Sequence, residues 1–300
     1  MNAAAEAVIA RIRAIYARWG RTTDIATRRR DWEALHAAGP DIPAAIPVST
    51  GGVDAAWIAP PGARADRAIL FFHGGGFMLG SIESHRALAA GIGASAGCRV
   101  LSVAYRLVPE HRFPAPVEDA LAAHDWLCAS GFAPERIGVA GDSAGGNVAL
   151  ALLLSLKARG DRLPAAAALL SPLTDMEAAG ESYETRATAD PFHQRGMIKA
   201  VAAAYLGPGG NPRDPLASPL HADLAGLPPL LVQVGDRETV LSDSTEIARR
   251  ASLAGVDARV EVWPGMFHVF QLYAAELPEA REAVARIGDH FRAAFGASAL

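Results

Sequence analysis

Along most of the chain, short apolar runs alternate with longer segments whose apolar positions recur every three or four residues. The runs are "AAWIAP" (55–60), "AILFFH" (68–73), "RVLSVAY" (99–105), "RIGVAGD" (136–142), "AAAALLSP" (165–172), "PLLVQVG" (229–235) and "ARVEVWP" (258–264). Their length and their Val, Ile and Leu content predict strands, least clearly where alanines fill residues 165–172. Residues 84–96, 116–130, 144–159, 240–254 and 278–296 between them predict helices. Strands separated by helices of this length imply βαβ units. The fold class is therefore α/β, a mostly parallel sheet with helices on both faces.

The alternation is absent in two places. Residues 2–18 and 23–38 read as two helices, closed off by Gly39-Pro40 and Pro43. Residues 173–227 hold the stretch Met176–Arg186, a helix at 195–206 and the Pro/Gly-rich run "LGPGGNPRDPLASPL". Both are candidates for a cap over the carboxyl edge of the sheet. The expected organisation is a cap part at 1–42, core at 43–172, a cap insertion at 173–227 and core again at 228–300.

Composition narrows the class. With 300 residues, 51% of them hydrophobic, the chain can bury a large core and is too apolar for disorder. The formal charge of −4 is spread along the chain, and Arg28–Arg30 sit beside Asp31 and Glu33 as a solvated helix face. No nucleic-acid footprint emerges. Cys98 and Cys128 lie in apolar surroundings and read as small core residues, not as a disulfide or metal site. Arg11 and Arg13 interrupt the first helix, which does not read as a signal peptide, and no window approaches 18 uncharged apolar residues. A cytoplasmic protein without a membrane role is expected.

The pattern G-x-S-x-G, which marks a serine nucleophile on a sharp turn, occurs twice, as "GASAG" (93–97) and "GDSAG" (141–145). Such a turn has a direction: strand, turn, helix. "RIGVAGDSAGGNVALALLLSLKARG" has that order around Ser143, and the helix start adds a free N–H and a positive dipole end. Around Ser95 a helix comes first and a strand follows, so Gly93 and Gly97 read as helix-ending glycines and Ser95 as a chance match.

A serine nucleophile needs a base, an acid to orient it, and donors for the oxyanion. "FFHGGGF" (71–77) follows a strand, and its glycines can aim bare N–H groups at one point. Gly75, Gly76 and the N–H of Ala144 are the expected donors, with His73 and Gly74 supporting the loop; the run lacks the Lys and the spacing of a phosphate loop. His268, in "WPGMFHVF" after the last strand, is the expected base. His36, His124 and His290 fall on predicted helices away from that edge, whereas His85, His111, His193 and His221 are placed to line a pocket. The loop after Gly235 offers Asp236, Glu238 and Asp243 as the acid; Glu238 has the reach, and Asp236 stands as the alternative. Phe77, Met78, Phe192, Met197, Tyr205, Phe267 and Phe270 are candidates for an apolar pocket wall.

With these residues assembled, the chain resembles the hormone-sensitive-lipase-like group of α/β-hydrolase esterases. HGGGF at 73–77, "YRLVPEHRFPAPVED" at 105–119, GDSAGGN at 141–147, "DPLASPL" at 214–220 and the late histidine follow that family's order, and so does Ser, acid, His. The resemblance implies an eight-stranded, mostly parallel sheet with a helical cap. It implies hydrolysis of short-chain carboxylic esters, with no metal or cofactor, and places the acid at Glu238, where many members have Asp. It also implies a homodimer through an edge strand such as "ARVEVW". A lactonase, amidase or acyltransferase would use the same triad. A non-catalytic binding module would be expected to lose a triad member, and none is lost here. Since His268 must be neutral to act, activity is expected to fall at mildly acid pH.

Overall fold

In the computed structural model, which describes residues 2–20 and 22–297, eight strands form one sheet. They are β1 (Ala45–Thr50), β2 (Val53–Ile58), β3 (Arg64–Phe72), β4 (Cys98–Val103), β5 (Ile137–Asp142), β6 (Ala166–Leu170), β7 (Leu230–Gly235) and β8 (Ala258–Trp263). Their order across the sheet is β1-β2-β4-β3-β5-β6-β7-β8. β2 pairs antiparallel with both β1 and β4, and every other neighbouring pair is parallel. The helices are α1 (Ala3–Tyr16), α2 (Ile25–Leu35), α3 (Ile82–Ala96), α4 (Ala115–Ala129), α5 (Ala144–Arg159), α6 (Ser182–Thr185), α7 (Arg195–Leu206), α8 (Leu241–Leu253) and α9 (Pro278–Ala297).

The central strands β5, β6 and β7 are buried along their whole length, as parallel strands covered on both faces must be. Leu70, Val139, Leu169 and Val232 face one side, where they join Leu127 of α4, Val148 and Leu152 of α5 and Ile247 of α8. Ile69, Phe71, Ala166 and Ala168 face the other, with Leu88 and Ile92 of α3 and Ile287 and Phe291 of α9. The alanine-rich β6 thus keeps a strict period of two. A Cβ at Gly138 would stand 2.6 Å from the Phe291 ring, so the glycine makes room for an aromatic whose burial contributes about 1.5–3 kcal/mol.

The hydrophobic pattern missed β1. Ile46, Pro47 and Ser49 are exposed, Ile46 by 60%, and Pro47 interrupts the run. It is held by an antiparallel register with β2 (Ala45 opposite Ile58, Thr50 opposite Val53), closed by Gly51 and Gly52 at positive φ. β2 consequently lies two residues earlier than its apolar run suggests. Gly97 ends α3 in the left-handed conformation as expected, but Gly93 does not end it. Gly93 lies inside the helix, where a Cβ would press on Cys98 and Val100.

α1 buries Ala5, Val8, Ile9 and Ile12 against Phe267, Phe270 and Tyr273, so the N-terminal helix packs on the segment that carries His268. Cys98 and Cys128 are free thiols. Among the described residues, no helix is long and apolar enough to cross a membrane.

Candidate active site

Ser143 is the single residue between β5 and α5, held at φ 52° and ψ −116°. Such a conformation costs a non-glycine residue about 1–3 kcal/mol, so its surroundings must enforce it. The Ser143 N–H donates to Leu170 O (2.8 Å), and its carbonyl accepts from Leu173 N (3.1 Å). A Cβ at Gly141 would run into the Gly145 backbone, and one at Gly145 into the carbonyls of Phe72 and His73. The two glycines therefore let β3, β5 and the start of α5 meet at one point. Asn147, one turn on, donates to Leu173 O (2.8 Å) and Ala217 O (2.7 Å), which makes it a tie to the "DPLASPL" segment.

The loop after β8 brings His268 to this serine. Its Nε2 lies 2.8 Å from Ser143 Oγ, and its Nδ1 2.7 Å from Glu238 Oε2. Glu238 is fully buried, and its other oxygen accepts from Ser171 Oγ (2.8 Å) and Gly235 N (2.5 Å). The Glu238 carboxylate accepts the hydrogen bond of Nδ1–H, which fixes the tautomer and leaves Nε2 to accept from the serine hydroxyl. Burial opposes the charged imidazolium, but the Glu238 charge and hydrogen bond outweigh it and raise the His268 pKa above the ordinary 6.5.

The other two carboxylates on that loop are engaged elsewhere. Asp236 accepts from Gly265 N (2.8 Å) and holds the turn after β8, while the carboxylate on His268 Nδ1 is that of Glu238. Asp243 is buried on α8 and accepts from Thr174 N (2.8 Å), Asp175 N (2.9 Å) and Tyr183 OH (3.0 Å), pinning the start of the 173–227 segment.

On the other side of Ser143 lies the glycine loop. Gly75 and Gly76 take positive φ of 109° and 63°, and a Cβ at Gly75 would strike the Leu79 carbonyl. Among the described residues, the N–H groups of Gly75, Gly76 and Ala144 donate no hydrogen bond, and both glycines line the same cavity as Ser143. His73 is buried beneath the loop, with Nδ1 2.8 Å from Gly74 O and its own carbonyl accepting from Tyr105 OH (2.6 Å). Gly74 N donates to Asp142 Oδ1 (3.0 Å), whose Oδ2 lies 3.4 Å from His85 Nε2. The supports Ser171, Asp142 and His85 were not foreseen as such. The only signal for Ser171 is its place directly after β6, at the edge where β5 and β7 also end.

A family model described as the alpha/beta hydrolase fold matches residues 69–272. The chain belongs to that family. An acetyl-hydrolase of Streptomyces hygroscopicus is 43% identical over 256 residues, covering 85% of this chain and 85% of its own. A crystal structure of an esterase from the bacterial hormone-sensitive lipase family is 48% identical, covers 99% of each chain and superposes with a TM-score of 0.95. An esterase crystal soaked with p-nitrophenyl butyrate is 38% identical, covering 96% of this chain and 99% of its own, with a TM-score of 0.90. This chain is a carboxylic ester hydrolase of the hormone-sensitive-lipase-like group.

The cavity of this hydrolase, about 100 Å³, is lined by Ser143 and His268. Met78, Phe192 and Met197 line it as the sequence suggested. Phe77, Tyr205, Phe267 and Phe270 do not. Phe77 stacks on Tyr205 with ring centroids 3.7 Å apart, and Phe267 and Phe270 pack under α1, so their side chains are spent on the core. The wall comes instead from residues outside the expected set, chiefly Tyr16, Trp19 and Trp32 of the N-terminal segment and Ile198 and Val201 of α7. His36 also lines the cavity, contrary to its expected distance, and its Nε2 lies 3.0 Å from Tyr273 OH. His193 reaches the cavity as well.

A separate group, Asp175, Glu177 and His221, lies outside this lining. Arg213 stands 3.4 Å from Glu177 there, so the cluster already holds a cation of its own.

Proposed function

We propose that Ser143 is the nucleophile, His268 the general base and acid, Glu238 the orienting carboxylate, and Gly75, Gly76 and Ala144 the oxyanion donors. The observation that carries this reading is the unbroken chain from Ser143 Oγ to His268 (2.8 Å) to Glu238 (2.7 Å). Neutral His268 takes the hydroxyl proton at Nε2 as Ser143 Oγ bonds to the ester carbonyl carbon. The three amide N–H groups receive the oxyanion. The C–O bond to the alcohol then breaks, and the imidazolium gives its proton to the departing oxygen. Water repeats both steps on the acyl-enzyme, releasing the acid and restoring Ser143.

The acyl group is short. A cavity of about 100 Å³ walled by aromatic and aliphatic side chains supports this, as do the acetyl-hydrolase relative and the butyrate ester soaked into the related crystal. Residues 1–42 and 173–227 act as the cap, since both contribute to the cavity wall. The protein works in the cytoplasm, consistent with its two free cysteines. It pairs into a homodimer through β8, an edge strand with Val260 and Val262 39% and 43% exposed.

The test is a rate profile on p-nitrophenyl acetate, butyrate, octanoate and laurate, for the wild type and Ser143→Ala. The reading expects acetate or butyrate to be fastest and the variant to be inactive on all four. Laurate as the best substrate would remove the short-chain assignment, and an active variant would remove the nucleophile.

A further inference from the structure

The turn 190–193 touches the base of the triad and the residue that follows its acid. Asp190 is buried, and its carboxylate accepts four hydrogen bonds. Oδ1 takes those of Phe192 N (2.8 Å) and His193 N (2.9 Å). Oδ2 takes those of Thr239 N (2.7 Å) and Thr239 Oγ1 (3.0 Å). Thr239 is the residue after Glu238, so one carboxylate fixes the turn and the acid's own backbone together. The turn then packs on the base. The Phe192 ring meets Phe267 edge-on (5.6 Å, 89°), and the His193 ring meets His268 the same way (4.3 Å, 72°). Two consecutive rings of the turn therefore cover two consecutive rings of the histidine loop.

We propose that Asp190 and His193 form a positioning clip that holds the Glu238 carboxylate and the His268 imidazole in register with Ser143; the inference rests on the triad assignment above. The loop carrying His268 must satisfy two distances at once, to Oγ on one side and to Glu238 on the other. Nothing covalent holds the ring between them, and a displacement near 1 Å can cost about 100-fold in rate. His193 contributes a ring face or edge, since its Nδ1 is buried with no hydrogen-bond partner among the described residues. Burial also pushes the His193 pKa down to about 4, so the ring stays uncharged and does not oppose the imidazolium that forms on His268. The charged groups acting on His268 are Glu238, Asp190 and Asp142; His193 is the other titratable group against it.

Four variants test the clip on p-nitrophenyl butyrate across pH: His193→Ala, His193→Phe, His193→Gln and Asp190→Asn, with Ser143→Ala as control. Loss of the ring contact is expected to lower kcat about 10-fold in His193→Ala with KM within about twofold. It should also move the acid limb to lower pH, because an imidazole loosened from Glu238 loses the cause of its raised pKa. His193→Phe restores the ring and should return kcat to within about threefold of wild type. Asp190→Asn keeps the shape but cannot accept all four bonds, and should change kcat and the limb in the same direction as His193→Ala. Wild-type kcat and limb in His193→Ala would overturn the clip, and so would rescue by Gln instead of Phe. If His193→Ala does not fold, the Phe and Gln variants still decide between the two. An inactive Ser143→Ala beside a normal His193→Ala overturns the clip alone, whereas an active Ser143→Ala overturns the triad.

Discussion

Residues 93–97 and 141–145 spell nearly the same five letters, yet the two serines meet opposite surroundings. Ser143 follows a strand and opens a helix, which forces φ to 52° and turns its hydroxyl toward an imidazole 2.8 Å away. Ser95 sits in the last turn of α3, and its atoms lie where a Cβ on Gly288 of α9 would have to go. One pair of glycines makes room for a reactive turn; the other allows close helix packing and a helix end. The chemistry belongs to the order of elements around the letters, and each prediction below asks whether that distinction holds.

The largest effect is expected at the serines. Ser143→Ala should lower kcat/KM at least about 10,000-fold, while Ser95→Ala stays within about twofold of wild type. Steady-state kinetics on p-nitrophenyl butyrate decide this, and comparable losses in both variants would erase the contrast. The acid loop repeats it at a distance of two residues. Glu238→Gln should cost about 1,000-fold in kcat, because the amide cannot hold His268 in the same tautomer. Asp236→Asn should cost under about fivefold, because its carboxylate holds only the Gly265 turn. An Asp236 effect exceeding that of Glu238 would reverse the assignment.

The flanking glycines sharpen the comparison further. Gly145→Ala pushes a methyl into the β3 backbone beside the oxyanion loop and should lower both Tm and kcat, the latter about 100-fold. Gly93→Ala presses on Cys98 and Val100 and should cost about 1–3 kcal/mol of stability with kcat unchanged. Thermal melts and single-temperature kinetics separate the two outcomes. The smallest effect is in the pH profile. Neutral His268 is the active form and Glu238 raises its pKa, so wild-type kcat/KM should fall as pH drops through a value above 6.5. In Glu238→Gln the residual activity should fall at a lower pH. A limb that does not move would separate His268 from the observed ionisation.

The same logic explains what could be read before the fold was known. The strand, turn and helix around Ser143 are local, and so are the glycine run after β3 and the carboxylate three residues past Gly235. Backbone geometry at one sheet edge does the rest. β1 was illegible because half of it faces solvent and Pro47 breaks its pattern; only pairing with β2 defines it. The pocket wall was illegible for a different reason. Phe77 was expected at the wall and Trp32 was not, and only the packing of two segments distant in sequence stacks the first on Tyr205 and sends the second to the cavity. His193 was legible only as a pocket residue and Asp190 not at all, since the contacts that matter lie 75 and 49 residues away in the chain, at His268 and Thr239.

The nucleophile can be tested without relying on rates. The protein is incubated with diethyl p-nitrophenyl phosphate, which transfers a diethylphosphoryl group to an activated serine and releases p-nitrophenol. Peptide mapping by mass spectrometry then locates the adduct. A single adduct on the peptide containing Ser143, absent from Ser143→Ala and accompanied by complete loss of esterase activity, is the predicted result. An adduct on Ser95, or full inactivation with Ser143 unmodified, would contradict the account.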